Sequence, residues 1–146
     1  MAGAGVPDGQ LAHHRVALSP PDPRPAYVRL YADAAGATHF EDVALGTSTE
    51  RHSSGALTEV SALVPVDGLI FRRVVDEIES DRPHHAPRRM LIITLEGAAA
   101  VTVSDGECRV FGPGSVVLVE DTTGSGHVTR PVGSTPRVTL FAPLPE

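Results

Sequence analysis

The chain of 146 residues has no lysine, no asparagine and a single cysteine, Cys108. One thiol forms no internal disulfide, so nothing here asks for an oxidising compartment. Cys108, in an alternating stretch, reads as a small packed residue. Without lysine, all 12 basic side chains are arginine, a bias that fits a GC-rich bacterial coding genome better than any demand of a fold. Acidic residues outnumber basic ones, for a net charge of −6. That balance opposes the electrostatic footprint needed on a phosphate backbone, so nucleic acid is not an expected partner. Long apolar runs are lacking as well. No segment is long enough to cross a bilayer, and the first residues, MAGAGVPDGQLAHHRVALSPPDPRP, have neither the basic start nor the unbroken apolar core of a signal peptide. A cytoplasmic protein without a membrane partner is the expectation.

What is present is a succession of short alternating runs. A chain of this length fits one core. Residues 1–25 are rich in Gly, Pro, Asp and Ala without a periodic apolar face, the composition of a flexible N-terminal tail, and 26–146 read as a single domain. There YVRLYAD, HFEDVAL, RMLIITLEG, AAAVTVSD, CRVFG, SVVLVED and RVTLFAPL alternate like strands, with Gly, Pro, Asp and Ser at nearly every join. Only VVDEIES allows one helical turn. Asp105-Gly106 is a two-residue hairpin signal, and Pro113-Gly114 a second turn leading into SVVLVED. Many short strands at regular spacing predict an all-β sandwich or barrel, since closure removes exposed edges.

The order of a histidine-rich stretch HHAPRR, a strand ending in LEG, a DGE hairpin, FGPGSVVLVED and a histidine in GSGH resembles the two motifs of the cupins, small β-barrel proteins of jelly-roll type. The likeness covers about Phe71 to Leu140 and is nearest to small single-domain members. It implies a jelly-roll barrel enclosing a small-molecule cavity and, in members with the full motif, an iron, manganese or nickel ion. With Gly97 and Gly114 as anchors, the family's glutamate falls on Met90. Its His-x-His pair falls on His84 and Ala86, or on Pro83 and His85, so one histidine is missing. The second-motif histidine corresponds to His127. A metal in such a barrel needs three or four nitrogen and oxygen ligands, and a thioether suits copper(I) rather than these harder ions. A bound metal would therefore rest on His84 or His85 and His127, with Glu120 or Asp121 as a carboxylate and His39 or His52 as a further imidazole. The expectation is a degenerate metal motif and no resident cofactor.

Three residues are the catalytic candidates: His127 in its Gly-rich loop, His84, and Asp121 as a partner for His127. The competing reading of Asp121 is a cap on the backbone amides that follow it. If Met90 faces the lumen, period-two alternation sets His84, Arg88, Ile92 and Thr94 on its side and Leu91, Ile93 and Leu95 on the other. Met90, Phe71, Phe40 and Tyr31 are the expected apolar lining for a hydrophobic or polyketide-like ligand. Arg88 and Arg73 are the expected donors to developing negative charge, and at most one of each pair Arg88/Arg89 and Arg72/Arg73 points inward. Apolar residues on both faces of LIITL predict a covered strand and a homodimer.

Placed by this resemblance, these residues imply a metal-independent isomerase or cyclase of bacterial secondary metabolism, working on a small molecule by acid–base catalysis and substrate shaping. The alternatives are a metal-dependent cupin oxygenase and a non-catalytic module that binds a small ligand.

Overall fold

The computed structural model describes residues 27–76, 80–134 and 136–146. The expected tail, 1–25, and the centre of the VVDEIES turn lie outside the described residues. The protein is all-β, with no helix among the described residues. Its strands are β1 (Tyr27–Ala32), β2 (Thr38–Val43), β3 (Thr47–Arg51), β4 (Leu57–Ser61), β5 (Ile70–Val74), β6 (Met90–Glu96), β7 (Ala98–Val103), β8 (Cys108–Phe111), β9 (Val116–Val119), β10 (His127–Val132) and β11 (Arg137–Pro143).

A six-stranded sheet runs β2-β1-β9-β6-β11-β5, and a three-stranded sheet runs β10-β7-β8. All pairs are antiparallel except β1 with β9. The β-branched runs explain why these segments are strands: Val, Ile and Thr fit the pleated, half-buried surface on which each strand lies. Inward residues of both sheets meet in one core, where Leu30, Phe40, Met90, Val103, Phe111 and Val119 pack together. Phe40 and Phe111 meet edge to face at a centroid distance of 5.7 Å.

The turns follow the sequence signals with one change. Val103 and Glu107 are bridged by the bond from Val103 N–H to Glu107 O, and Gly106 N–H donates to Val103 O. The loop is therefore Ser104, Asp105 and Gly106, a three-residue turn with glycine at φ 96°, rather than the two-residue turn expected. The extra residue, Ser104, accepts the Thr38 N–H through its hydroxyl, tying β2 to the hairpin. At Gly112–Ser115 the chain makes the expected Pro-Gly turn, with Gly114 at φ 86°. This turn carries β9 out of the three-stranded sheet into the six-stranded one, so β8 and β9 do not pair.

Cys108 is exposed rather than packed, because the register of β8 turns Phe111 inward and leaves position 108 near the open edge of its sheet. The hairpin β3–β4 forms a separate two-stranded sheet, exposed along most of its length. Among the described residues, nine of the twelve large apolar side chains that remain exposed fall between Leu45 and Val75, in the stretch that runs through this arm, the loop after it and β5.

Candidate active site

The site begins with a backbone contact. His84 and His127 form an isolated antiparallel bridge in which each N–H donates to the other's carbonyl oxygen at 3.0 Å. Residues paired this way project their side chains to the same face. The two imidazole rings accordingly lie with centroids 4.5 Å apart and planes tilted by 58°. Gly126 makes the approach possible: it has φ 71°, and a Cβ there would sit 2.6 Å from the His84 carbonyl oxygen. Gly124 plays the same part against Gly36, whose carbonyl oxygen would lie 2.5 Å from an added Cβ.

Behind His127 stands Asp121, completely buried, with its Oδ2 2.5 Å from His127 Nδ1. A carboxylate oxygen accepts, so the shared proton lies on Nδ1, and in the neutral form of the ring Nε2 carries the lone pair. Asp121 arrives there by alternation: Val119 faces inward, Glu120 outward and Asp121 inward again. Glu120 accepts hydrogen bonds from Arg29 at 2.8 Å and Arg89 at 2.9 Å on the outer side. Burial opposes ionisation of Glu120, but these two guanidinium groups outweigh it and hold its carboxyl below the usual range. The carboxylate of Asp121 is thus committed to the histidine and not to capping the loop after it.

His84 is at the rim. Partial burial pushes its imidazole below the ordinary value, His127 beside it adds to the shift, and Asp121 and the Arg82 carbonyl pull weakly the other way. His84 is therefore a neutral imidazole at neutral pH. His85 turns aside and bonds the Gly124 carbonyl oxygen through Nε2. Both histidines border the cavity, but His84 is the one whose ring meets His127.

Between the two sheets lies a cavity of about 660 Å³ that is open to solvent on one side. Its floor is apolar, with Leu30, Ile92, Val117, Val119, Phe111 and Phe141. At one end a recess is shared by His84, His127, Met90 and Arg72. Thr94, Thr129, Thr139 and Arg137 supply polar atoms in the remaining wall. The inward parity of β6 is the one in which Met90, Ile92 and Thr94 face the cavity together.

The other expected lining residues lie elsewhere. Phe71 is 76% exposed, and Arg73 shares its outward parity on β5, because it is Arg72 that lines the cavity. Tyr31 is on the outer face, under the Arg29 guanidinium and against His39. Phe40 is buried in the core rather than on the cavity wall. Arg88 binds Asp67 Oδ2 and the Leu144 carbonyl oxygen, each at 2.6 Å. A bend at Pro87 and Arg88 breaks the alternation that would have turned it inward. Arg72 was the alternative to Arg73 in the sequence, whereas Arg137 and Thr139 were not singled out, although the spacing Arg137, Thr139, Phe141 puts all three on one face of β11.

The donor set does not fit the iron, manganese or nickel shell of the full cupin motif. Met90 stands at the carboxylate position, the Asp121 carboxylate is turned to Nδ1 behind the imidazole, and His39 and His52 are at the surface. Among the described residues no three His, Cys, Asp or Glu side chains form a metal-holding group. No protein-family model matches the chain, and no curated protein matches it in sequence.

Proposed function

We propose that this protein is an enzyme of isomerase or cyclase type that moves a proton on a small organic substrate held between the two sheets, in a cupin-like barrel without a working metal motif. The observation that carries the reading is the buried Asp121–His127 pair, 2.5 Å apart, on the wall of a cavity of about 660 Å³. A volume of this size suits a drug-sized molecule, and an apolar wall with a few convergent polar groups is the usual form of a small-molecule site.

In this reading His127 Nε2 takes a proton from an acidic C–H beside a carbonyl. The bonding pair passes into the enolate, and the imidazolium is held by Asp121. The same nitrogen returns the proton to another carbon, or to oxygen, and the neutral imidazole is restored. His84, neutral and 4.5 Å away ring to ring, receives or supplies a proton at the rim. The apolar floor fixes the conformer that isomerises or closes. The site itself supports an enzyme over a passive binding module: a binding pocket needs no buried carboxylate behind its histidine.

The test is exchange of activated C–H for deuterium from solvent, followed by NMR on a panel of β-dicarbonyl compounds and keto acids. Protein-catalysed exchange that falls by about 10²–10⁴-fold in His127→Ala supports the reading. Exchange that is the same with and without His127 contradicts it.

We also propose a homodimer in the cytoplasm, with a second copy covering the exposed apolar side chains between Leu63 and Val75. A monomeric mass in light scattering at micromolar concentration would remove that part.

A further inference from the structure

The protein carries a net charge of −6, yet the cavity wall has the opposite character. Arg72, Arg82 and Arg137 line it together with His84, His85 and His127, and no Asp or Glu among the described residues does. Arg72 is the informative member. Its guanidinium lies over the Phe141 ring, 5.1 Å from the centroid, in the recess it shares with His127. Stacking on an aromatic face fixes the plane of the guanidinium and leaves its N–H edges for an acceptor. Across the sheet, Arg72 pairs with Thr139 on β11, which pairs in turn with Thr94 on β6. Thr139 lines the cavity and is 2% exposed, and its buried Oγ1 has no hydrogen-bond partner among the described residues. A buried hydroxyl without a partner is costly unless something in the cavity completes it.

We propose that the substrate is a small organic acid with an apolar body, its carboxylate held by Arg72 and Thr139 Oγ1 and its carbon skeleton lying along Ile92, Val117 and Phe141. The assignment rests on the reading of this cavity as a substrate site and deepens it by naming the charge and polarity of the occupant. A carboxylate accepts two parallel N–H bonds from a guanidinium, the geometry for which arginine is better suited than lysine. An enolate formed next to that carboxylate would have its developing charge beside the same guanidinium and within the same recess as His127 Nε2.

The experiment is binding, not turnover. A panel of aryl and branched alkyl carboxylic acids, each paired with its primary amide, is titrated into the full chain by calorimetry and by methyl NMR of Ile92 and Val117. The expected result is that the best acid binds roughly tenfold to a hundredfold tighter than its amide. Arg72→Gln should abolish that preference, Arg72→Lys should keep part of it, and Arg109→Gln, outside the cavity lining and bound to Asp42 and Glu107, should leave it intact. His127→Gln should also retain the preference, so failure of the acid–base reading and failure of this one are separable. Loss of exchange activity with the preference intact would leave the anion site standing. If no acid outbinds its amide, or if the preference survives in Arg72→Gln, the proposal is wrong.

Discussion

Two histidines in this protein each sit against aspartate, and they do opposite things with it. His39, on the outer face, is bridged by Asp33 Oδ2 at 2.7 Å from Nε2 and by Asp105 Oδ2 at 2.9 Å from Nδ1. Both ring nitrogens are used, so the proton has no outlet and the bonds to Asp33 and Asp105 raise the imidazole above its ordinary value. His127 has one carboxylate, on Nδ1 only, and its other nitrogen opens to a cavity. Two partners make a cross-link between the loop after β1 and the β7–β8 turn. One buried partner orients the ring and leaves its other nitrogen unclaimed by a carboxylate.

The comparison breaks most sharply at Asp121. Asp121→Asn keeps the shape but removes the charge that holds the imidazolium, so proton exchange on a responsive substrate should fall by about 10²–10⁴-fold. Replacing Asp33 with Asn should leave that rate unchanged. Measuring both variants on one substrate separates a catalytic from a cross-linking carboxylate, and equal effects would erase the distinction.

Gly126→Ala is the next largest effect. A Cβ at φ 71° meets the His84 carbonyl oxygen at 2.6 Å, so the variant should lose about 2 kcal/mol or more of stability, from left-handed strain plus the displaced His84 bridge. Denaturant unfolding measures it. At Gly106, also at positive φ but with open space around an added Cβ, alanine should cost only about 1 kcal/mol.

The outer cluster has a pH signature. His39 is raised in the folded state from 6.5, so its contribution to stability is complete below that value and fades as pH rises through the higher folded value. Asp33 is lowered from 3.8, chiefly by the bond from His39. Asp105 is lowered chiefly by the Glu107 N–H and then by His39. Their contributions are present above 3.8 and fade as pH falls through the lowered values. His39→Gln should therefore cost most between about pH 4 and 6.5 and least in mildly alkaline solution. Thermal unfolding across that range checks it, and a cost independent of pH would mean that His39 is merely packed.

His84 has the opposite sign and the smallest effect. Its folded value lies below 6.5, so a charged His84 disfavours the folded state and stability should decline as pH falls beneath 6.5. His84→Gln should flatten that decline, and the proton-exchange rate should fall less than with His127→Ala.

The all-β class was legible because β-branched alternation and Pro-Gly punctuation both point to short strands. Gly97 was legible as the end of β6, and its place has a physical cause: an added Cβ would meet the Arg137 Cα at 3.0 Å, where β11 passes. The parity of β5 was not legible. Phe71 with Arg73 and Arg72 with Val74 each combine one apolar and one basic residue, so the period-two pattern has no contrast to read. Choosing between His84 and His85 was likewise beyond spacing, since the decision is made by pairing with His127 across a glycine-rich loop. Asp121 was a candidate because it stands near His127 in the chain, but contact and burial are tertiary facts.

The central claim is that Asp121 holds His127 as the Nδ1–H tautomer, with Nε2 free to act as a base. Two-bond ¹H–¹⁵N correlation of the His127 ring, at a pH where it is neutral, tests this without any substrate. The account predicts a protonated Nδ1 and a bare Nε2 in the native protein, shifting toward the Nε2–H form when Asp121 is replaced by Ala. A native ring protonated on Nε2, or a tautomer indifferent to Asp121, would contradict it.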